Sequence, residues 1–190
     1  MKNIRFKTIL SVVSLLFLTA ACSSLLDEET FTFVSDGSVV ESNSYDKLVT
    51  GAYNALNYSF EWGNYHSVVN FDCDYQTGPT WAFGTMGAGN FLGSGDSDSF
   101  YKNYCIVVHR ANYHSFLINK MSISDDVKNN AMGELAFLKA FALFEMVRFW
   151  GPIPLYTHSV SEGEDYSLPR SSIEDVYKHI IDCLKYAEVA

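Results

Sequence analysis

Gly133-Glu-Leu-Ala-Phe-Leu-Lys-Ala-Phe-Ala-Leu-Phe-Glu-Met-Val-Arg-Phe-Trp-Gly-Pro-Ile-Pro-Leu-Tyr156 is the stretch whose reading decides the fold. Its apolar residues fall on two helical faces, one through Met132, Leu135, Leu138, Ala142, Met146 and Phe149, the other through Ala136, Phe137, Ala140, Phe141 and Phe144. A helix apolar on both sides is buried between neighbouring helices, as in stacked helical hairpins. It has a defined stop: Gly151 can take a left-handed C-terminal turn, and Pro152 and Pro154 forbid continuation. Its start is equally marked, by Ser124 as cap with Asp125 and Asp126 at the positive end of the helix.

Reading outward, a polar loop runs from Thr157 to Arg170, and Ser171 or Ser172 caps a further helix with Ile173, Val176, Tyr177, Ile180, Ile181, Leu184 and Ala187 on its apolar face. Upstream, a helix is expected from about Tyr101 to Met121 and another capped by Asn43 or Ser44, carrying Tyr45, Leu48, Val49, Ala52, Tyr53 and Leu56. Between them, residues 57–99 lose all periodicity. They are rich in Gly, Ser, Asn and Asp yet carry Trp62, Tyr65, Tyr75, Trp81 and several phenylalanines. A loop this long, when ordered, tends to be functional, and its aromatics argue against disorder. The expected fold is therefore all-α, with one long irregular aromatic loop.

Lys2, Arg5 and Lys7 precede an uncharged apolar run from Ile9 to Leu18, the pattern of a secretory leader. That run is too short to span a bilayer. It ends in Leu18-Thr19-Ala20-Ala21-Cys22, small residues directly before a cysteine, like a lipobox in which Cys22 becomes diacylated. The expected organisation is a lipoprotein signal peptide at 1–21, a tether at 22–42 and a helical domain at 43–190. The chain has a formal charge of −9, and loss of the leader leaves 10 basic against 22 acidic residues, or −12. Such a balance repels phosphate backbones and excludes nucleic acid as a partner. With Cys22 acylated, Cys73, Cys105 and Cys183 form neither a disulfide framework nor a zinc pattern.

Taken in order, four features make the sequence resemble the SusD/RagB family, surface lipoproteins that capture glycans and similar nutrients for a TonB-dependent barrel. They are the leader with Cys22, the aromatic helix Tyr101 through Asn112 ending in Ala111-Asn112, the block Glu134 through Leu155, and Pro169-Arg170-Ser171-Ser172 followed by Val176-Tyr177 and Ile180-Ile181-Asp182. The sequence departs from the pattern at Tyr101, Cys105 and Lys139, where the family more often has tryptophan, tyrosine and arginine. The resemblance implies tetratricopeptide-like hairpins, a SusC-like TonB-dependent outer-membrane barrel as partner, and a lipid-anchored place on the outer membrane facing the exterior. In lipoproteins of the Bacteroidetes type, acids after the lipidated cysteine, here Asp27-Glu28-Glu29, are associated with export to the surface. Members are several hundred residues longer, so the chain is expected to be an N-terminal fragment whose helices around Phe141 and Ile180 expose apolar surface.

No catalytic constellation is found. The five histidines form no HExxH pair, no Gly-x-Ser-x-Gly elbow occurs, and nothing selects a carboxylate pair for glycoside hydrolysis. Asp96 and Asp98 resemble the start of a calcium loop, but Val107 stands where its closing Glu belongs, so neither metal nor cofactor is expected. Sugar binding needs flat apolar rings against pyranose C–H faces and planar polar groups at the rim. The long loop supplies both, with Trp62, Tyr65, Tyr75 and Trp81 as platforms and Asp72, Asp74 and Asn90, together with Asn64 and Gln76, as polar partners. The expected function is non-catalytic glycan binding; the alternative is a tetratricopeptide-like protein-interaction scaffold with no sugar site of its own.

Overall fold

The computed structural model describes residues 35–60 and 95–190, and the compact unit spans Asp36–Ala190. Its elements are α1 (Asp36–Glu41), α2 (Tyr45–Phe60), α3 (Gly95–Asn119), α4 (Asp125–Trp150), β1 (Ile153–Pro154), β2 (Arg170–Ser171) and α5 (Ile173–Val189). Each long helix packs chiefly on the next, α2 on α3, α3 on α4 and α4 on α5, with α2 also reaching α4. The all-α expectation therefore holds; β1 and β2 are a two-residue antiparallel pair, Ile153 opposite Ser171.

Local chemistry sets the ends of α4 and α5. Ser124 accepts from the Val127 N–H, while Asp125 and Asp126 occupy the first turn of α4. At the other end Gly151 has φ 69° and ψ −127°, and its N–H closes on the Val147 carbonyl at 3.0 Å. This is positive φ as expected but outside the left-handed helical basin, and only glycine adopts it without strain. Ser172 caps α5, accepting from the Asp175 N–H at 3.1 Å.

Three expectations are corrected. α3 begins at Gly95, six residues before Tyr101, because Ser97 is buried and bonded to Trp150. Asn43 does not serve α2 as a cap: at φ 51° its Oδ1 instead accepts from the Ser122 N–H, 3.0 Å away. The segment assigned as tether through residue 42 includes the helix α1, whose Val39 is buried in the core.

α2 lies close to α3 because its contact face is small. Ala52 and Ala55 are buried, Arg110 donates to the Gly51 carbonyl at 2.7 Å, and a side chain on Gly51 would meet the His114 ring at 3.4 Å. Tyr53, expected on this face, is exposed.

The face of α4 through Leu135, Leu138, Ala142 and Met146 is buried as expected, whereas Phe137 on the other face is 48% exposed and Phe141 is half-buried. α5 divides likewise: Val176, Ile180 and Cys183 turn into the core, while Ile173, Tyr177, Ile181 and Leu184 form an exposed apolar stripe. Phe144 extends the stripe, its ring edge-on to Tyr177 at 6.3 Å. Contiguous apolar surface promotes association. Sedimentation of the wild-type chain should show concentration-dependent oligomers, and Ile181→Glu with Leu184→Glu should give a monomer with stability changed by less than about 0.5 kcal/mol. A monodisperse wild-type monomer would contradict this.

Candidate functional site

Cys22, Trp62, Tyr65, Asp72, Asp74, Tyr75, Trp81 and Asn90 lie outside the described residues, as do Asn64 and Gln76. The described residues show what stands around residue 95, where the described chain resumes. The first turns of α3 bring Ser97, Asp98, Tyr101 and Lys102 against Trp150 at the end of α4, and the turn at Gly151 sends Pro152–Pro154 along the same wall. Pairing of β1 with β2 adds Arg170. Together they line a cleft of about 560 Å³.

The cleft's aromatic wall is rigidly backed. Trp150 meets Tyr101 edge-on at 5.1 Å, Phe100 lies behind at 5.8 Å, and the Trp150 Nε1–H donates to Ser97 Oγ at 3.3 Å. Burial, then the neighbouring Cys105 thiol, pushes the Tyr101 hydroxyl up to about 12, so it stays protonated. Burial likewise raises Cys105 to about 11, making it an inert thiol. Aromatic surface rimmed by Asp98, Lys102 and Arg170 suits a ligand with apolar faces and hydroxyl edges. Sequence reasoning placed Trp150 in a buried helix and missed it as a site residue; the signal was its position directly before the Gly151-Pro152 stop, where the helix surfaces.

A second polar assembly holds the 155–170 loop. Asn112, on α3, donates through Nδ2 to the carbonyls of Tyr156 at 3.0 Å and His158 at 3.1 Å. Its Oδ1 accepts from Lys139 Nζ at 3.1 Å, and Lys139 also donates to the Thr157 carbonyl at 3.2 Å. Glu164 accepts from the backbone N–H groups of Thr157 and His158 at 3.2 and 2.6 Å, and the Ser159–Glu162 capping box closes the following turn. Lysine thus reaches a neutral acceptor and a carbonyl, which a point donor satisfies as well as a guanidinium. Cys183 and Cys105 are both free thiols. Among the described residues no group of three or more His, Cys, Asp or Glu forms a metal-binding cluster.

Two histidines make the bundle acid-sensitive. Burial lowers His114, whose Nδ1–H donates to the Leu48 carbonyl at 2.6 Å; burial and then Lys139 lower His179. Both folded values lie below the ordinary 6.5, so the unfolded chain binds protons first as pH falls. Their contribution is complete above pH 6.5 and is lost as pH falls through the folded values. Urea midpoints should therefore fall between pH 8 and 5, and less so in His114→Gln. Glu145 acts oppositely because burial raises its carboxyl despite Arg148 at 3.1 Å, so the comparison is best made in Glu145→Gln.

The SusD-like family, described as "Starch-binding associating with outer membrane", matches residues 85–190. SusD-like protein P38 of Formosa agariphila is 28% identical over 196 residues, covering 98% of this chain. A SusD-like protein of Bacteroides ovatus is 35% identical over 66 residues, covering 35% of this chain and 12% of that one. The chain spans 37% of the length of the Formosa agariphila protein. Among solved structures, a SusD superfamily protein of Parabacteroides distasonis superposes with a TM-score of 0.67 at 18% identity, over 79% of this chain and 34% of that one. A crystal structure with xylogluco-oligosaccharide superposes with a TM-score of 0.61 at 22% identity, over 76% of this chain and 29% of that one. These likenesses support the helical-hairpin fold.

Proposed function

The chain belongs to the SusD-like family, and on that premise we propose that it acts in a lipid-anchored surface receptor that binds glycans without altering them and passes them to a SusC-like TonB-dependent barrel. The observation that carries this reading is the Trp150–Tyr101 cleft, with its charged rim, at the start of α3. Support for a saccharide ligand comes from the family's starch-binding description and from the structural neighbour crystallised with xylogluco-oligosaccharide. Trp62, Tyr65, Asp72, Asp74, Tyr75, Trp81 and Asn90 are proposed to contribute to the site, and Cys22 to carry the lipid. No helix of the described residues is long and apolar enough to cross a membrane, which is compatible with an anchor of this kind.

Calorimetry against malto- and xyloglucan-oligosaccharides tests the reading. Binding in the micromolar to millimolar range is expected, weakened roughly tenfold by joint loss of Lys102 and Arg170 to alanine, with no release of reducing ends. Reducing-end release would make the protein a hydrolase. The exposed stripe on α5 favours a second reading, a protein-interaction scaffold. Its signature is co-purification with a barrel and no heat of binding with any sugar.

A further inference from the structure

On the far side of the Asn112–Lys139 assembly from Trp150 lies another groove, of about 330 Å³, walled by α3, α4, α5 and the loop after β1. Lys139 is half-buried at its edge. Two of its three N–H bonds go to Asn112 Oδ1 and the Thr157 carbonyl, both neutral, and no described carboxylate stands within ion-pair distance. Burial lowers the Lys139 pKa, and Cys183, Glu162 and Glu164 oppose that from beyond ion-pair distance; an ammonium carries three donors, and the two acceptors above use two of them.

The rest of the lining indicates what ligand chemistry the third would serve. Asp182 and Glu162, whose carboxylate also accepts from the Ser159 N–H, line the same groove together with Met132 and Tyr186, which is 41% exposed. An anion reaching Lys139 would meet two like charges. A neutral polyol satisfies both signs, since each hydroxyl accepts and donates. The volume is at the small end of ligand pockets, suited to one or two sugar rings.

We infer that this groove is a second saccharide site, distinct from the Trp150 cleft: Lys139 Nζ donates to a hydroxyl oxygen of a neutral pyranose, Asp182 accepts from the neighbouring hydroxyl, and Tyr186 covers a C–H face. The inference rests on the carbohydrate reading proposed above. Separate sites of this kind would let one molecule grip a polymer at two points and gain from the second contact at no cost in translational freedom.

The two sites are separable by nuclear magnetic resonance on the full chain, titrated with methyl β-D-glucopyranoside and, separately, glucuronate. The glucoside should shift the imidazole signals of His158 and His179 at millimolar concentrations. Asp182→Asn and Tyr186→Ala, both at exposed positions, should each weaken that response about tenfold, and Arg170→Ala should leave it intact. Shifts confined to the Trp150 indole and abolished by Arg170→Ala would overturn the second site and leave the proposed function standing. No shift at either place would remove both. Tighter binding of glucuronate than of the glucoside would overturn the neutral-sugar assignment.

Discussion

Asn112→Ala is expected to cost the fold about 3–5 kcal/mol, the range for removing one partner of a buried charged assembly. Asn112 is 4% exposed and serves three groups at once, the Tyr156 and His158 carbonyls and the Lys139 ammonium. Alanine strands both carbonyls, each at about 1–3 kcal/mol if water cannot replace the amide. It also leaves Lys139 with Thr157 as its one remaining acceptor. Lys139→Met should cost less, because it removes a desolvated charge together with its bonds. The double variant should then be milder than the sum of the two, since both act on one network. Urea denaturation gives the free energies, and limited proteolysis should cut the loop between Tyr156 and Arg170 faster in Asn112→Ala. A midpoint unchanged from wild type would show that the loop holds itself.

Phe100→Ala should be as damaging, by about 3–5 kcal/mol, through the cavity left by a ring that is 1% exposed. That ring makes edge contacts with Tyr104 at 4.9 Å and Phe149 at 5.4 Å, and it backs Trp150. Such pairs add about 0.5–1.5 kcal/mol beyond burial, so the loss should fall in the upper part of the range. Leu138→Ala, a buried truncation with no contact to the cleft, should cost about 2–5 kcal/mol and provides the control. If the Trp150 wall holds ligand, Phe100→Ala loses glycan affinity measured well below its melting temperature, whereas Leu138→Ala does not. Equal affinity in the two variants would remove Trp150 from the site.

The ends of α4 and α5 were readable because their causes are local: a serine with acids after it, a glycine with prolines after it. α3 was misjudged at its start for the opposite reason. Gly95-Asp-Ser-Asp98 has poor helix formers, and the helix there is held by Ser97 reaching Trp150, 53 residues away. Asn43 looked like a cap, yet its partner Ser122 is 79 residues distant. Phe137 shows the limit of periodicity: a second apolar face on a helix predicts cover, but not whether any neighbour supplies it. Of the candidate site, the aromatics proposed from composition lie outside the described residues, whereas Trp150 with Tyr101, and Lys139 and Asn112 with the Tyr156–His158 carbonyls, converge only through tertiary structure.

The short helix α1 has a mechanical consequence. Tyr113 OH donates to Asp36 Oδ2 at its first residue, and Asn43, just past its end, clasps Ser122, so the segment is fastened to the α3 side of the bundle at both ends. Traction on the chain at residue 35 would load these two clasps together, in shear, before it could peel α2 away turn by turn. Force arriving at residue 35 would thus be taken up near Tyr113 and Ser122, at the opposite end of α3 from the Trp150 cleft, which would feel little of it.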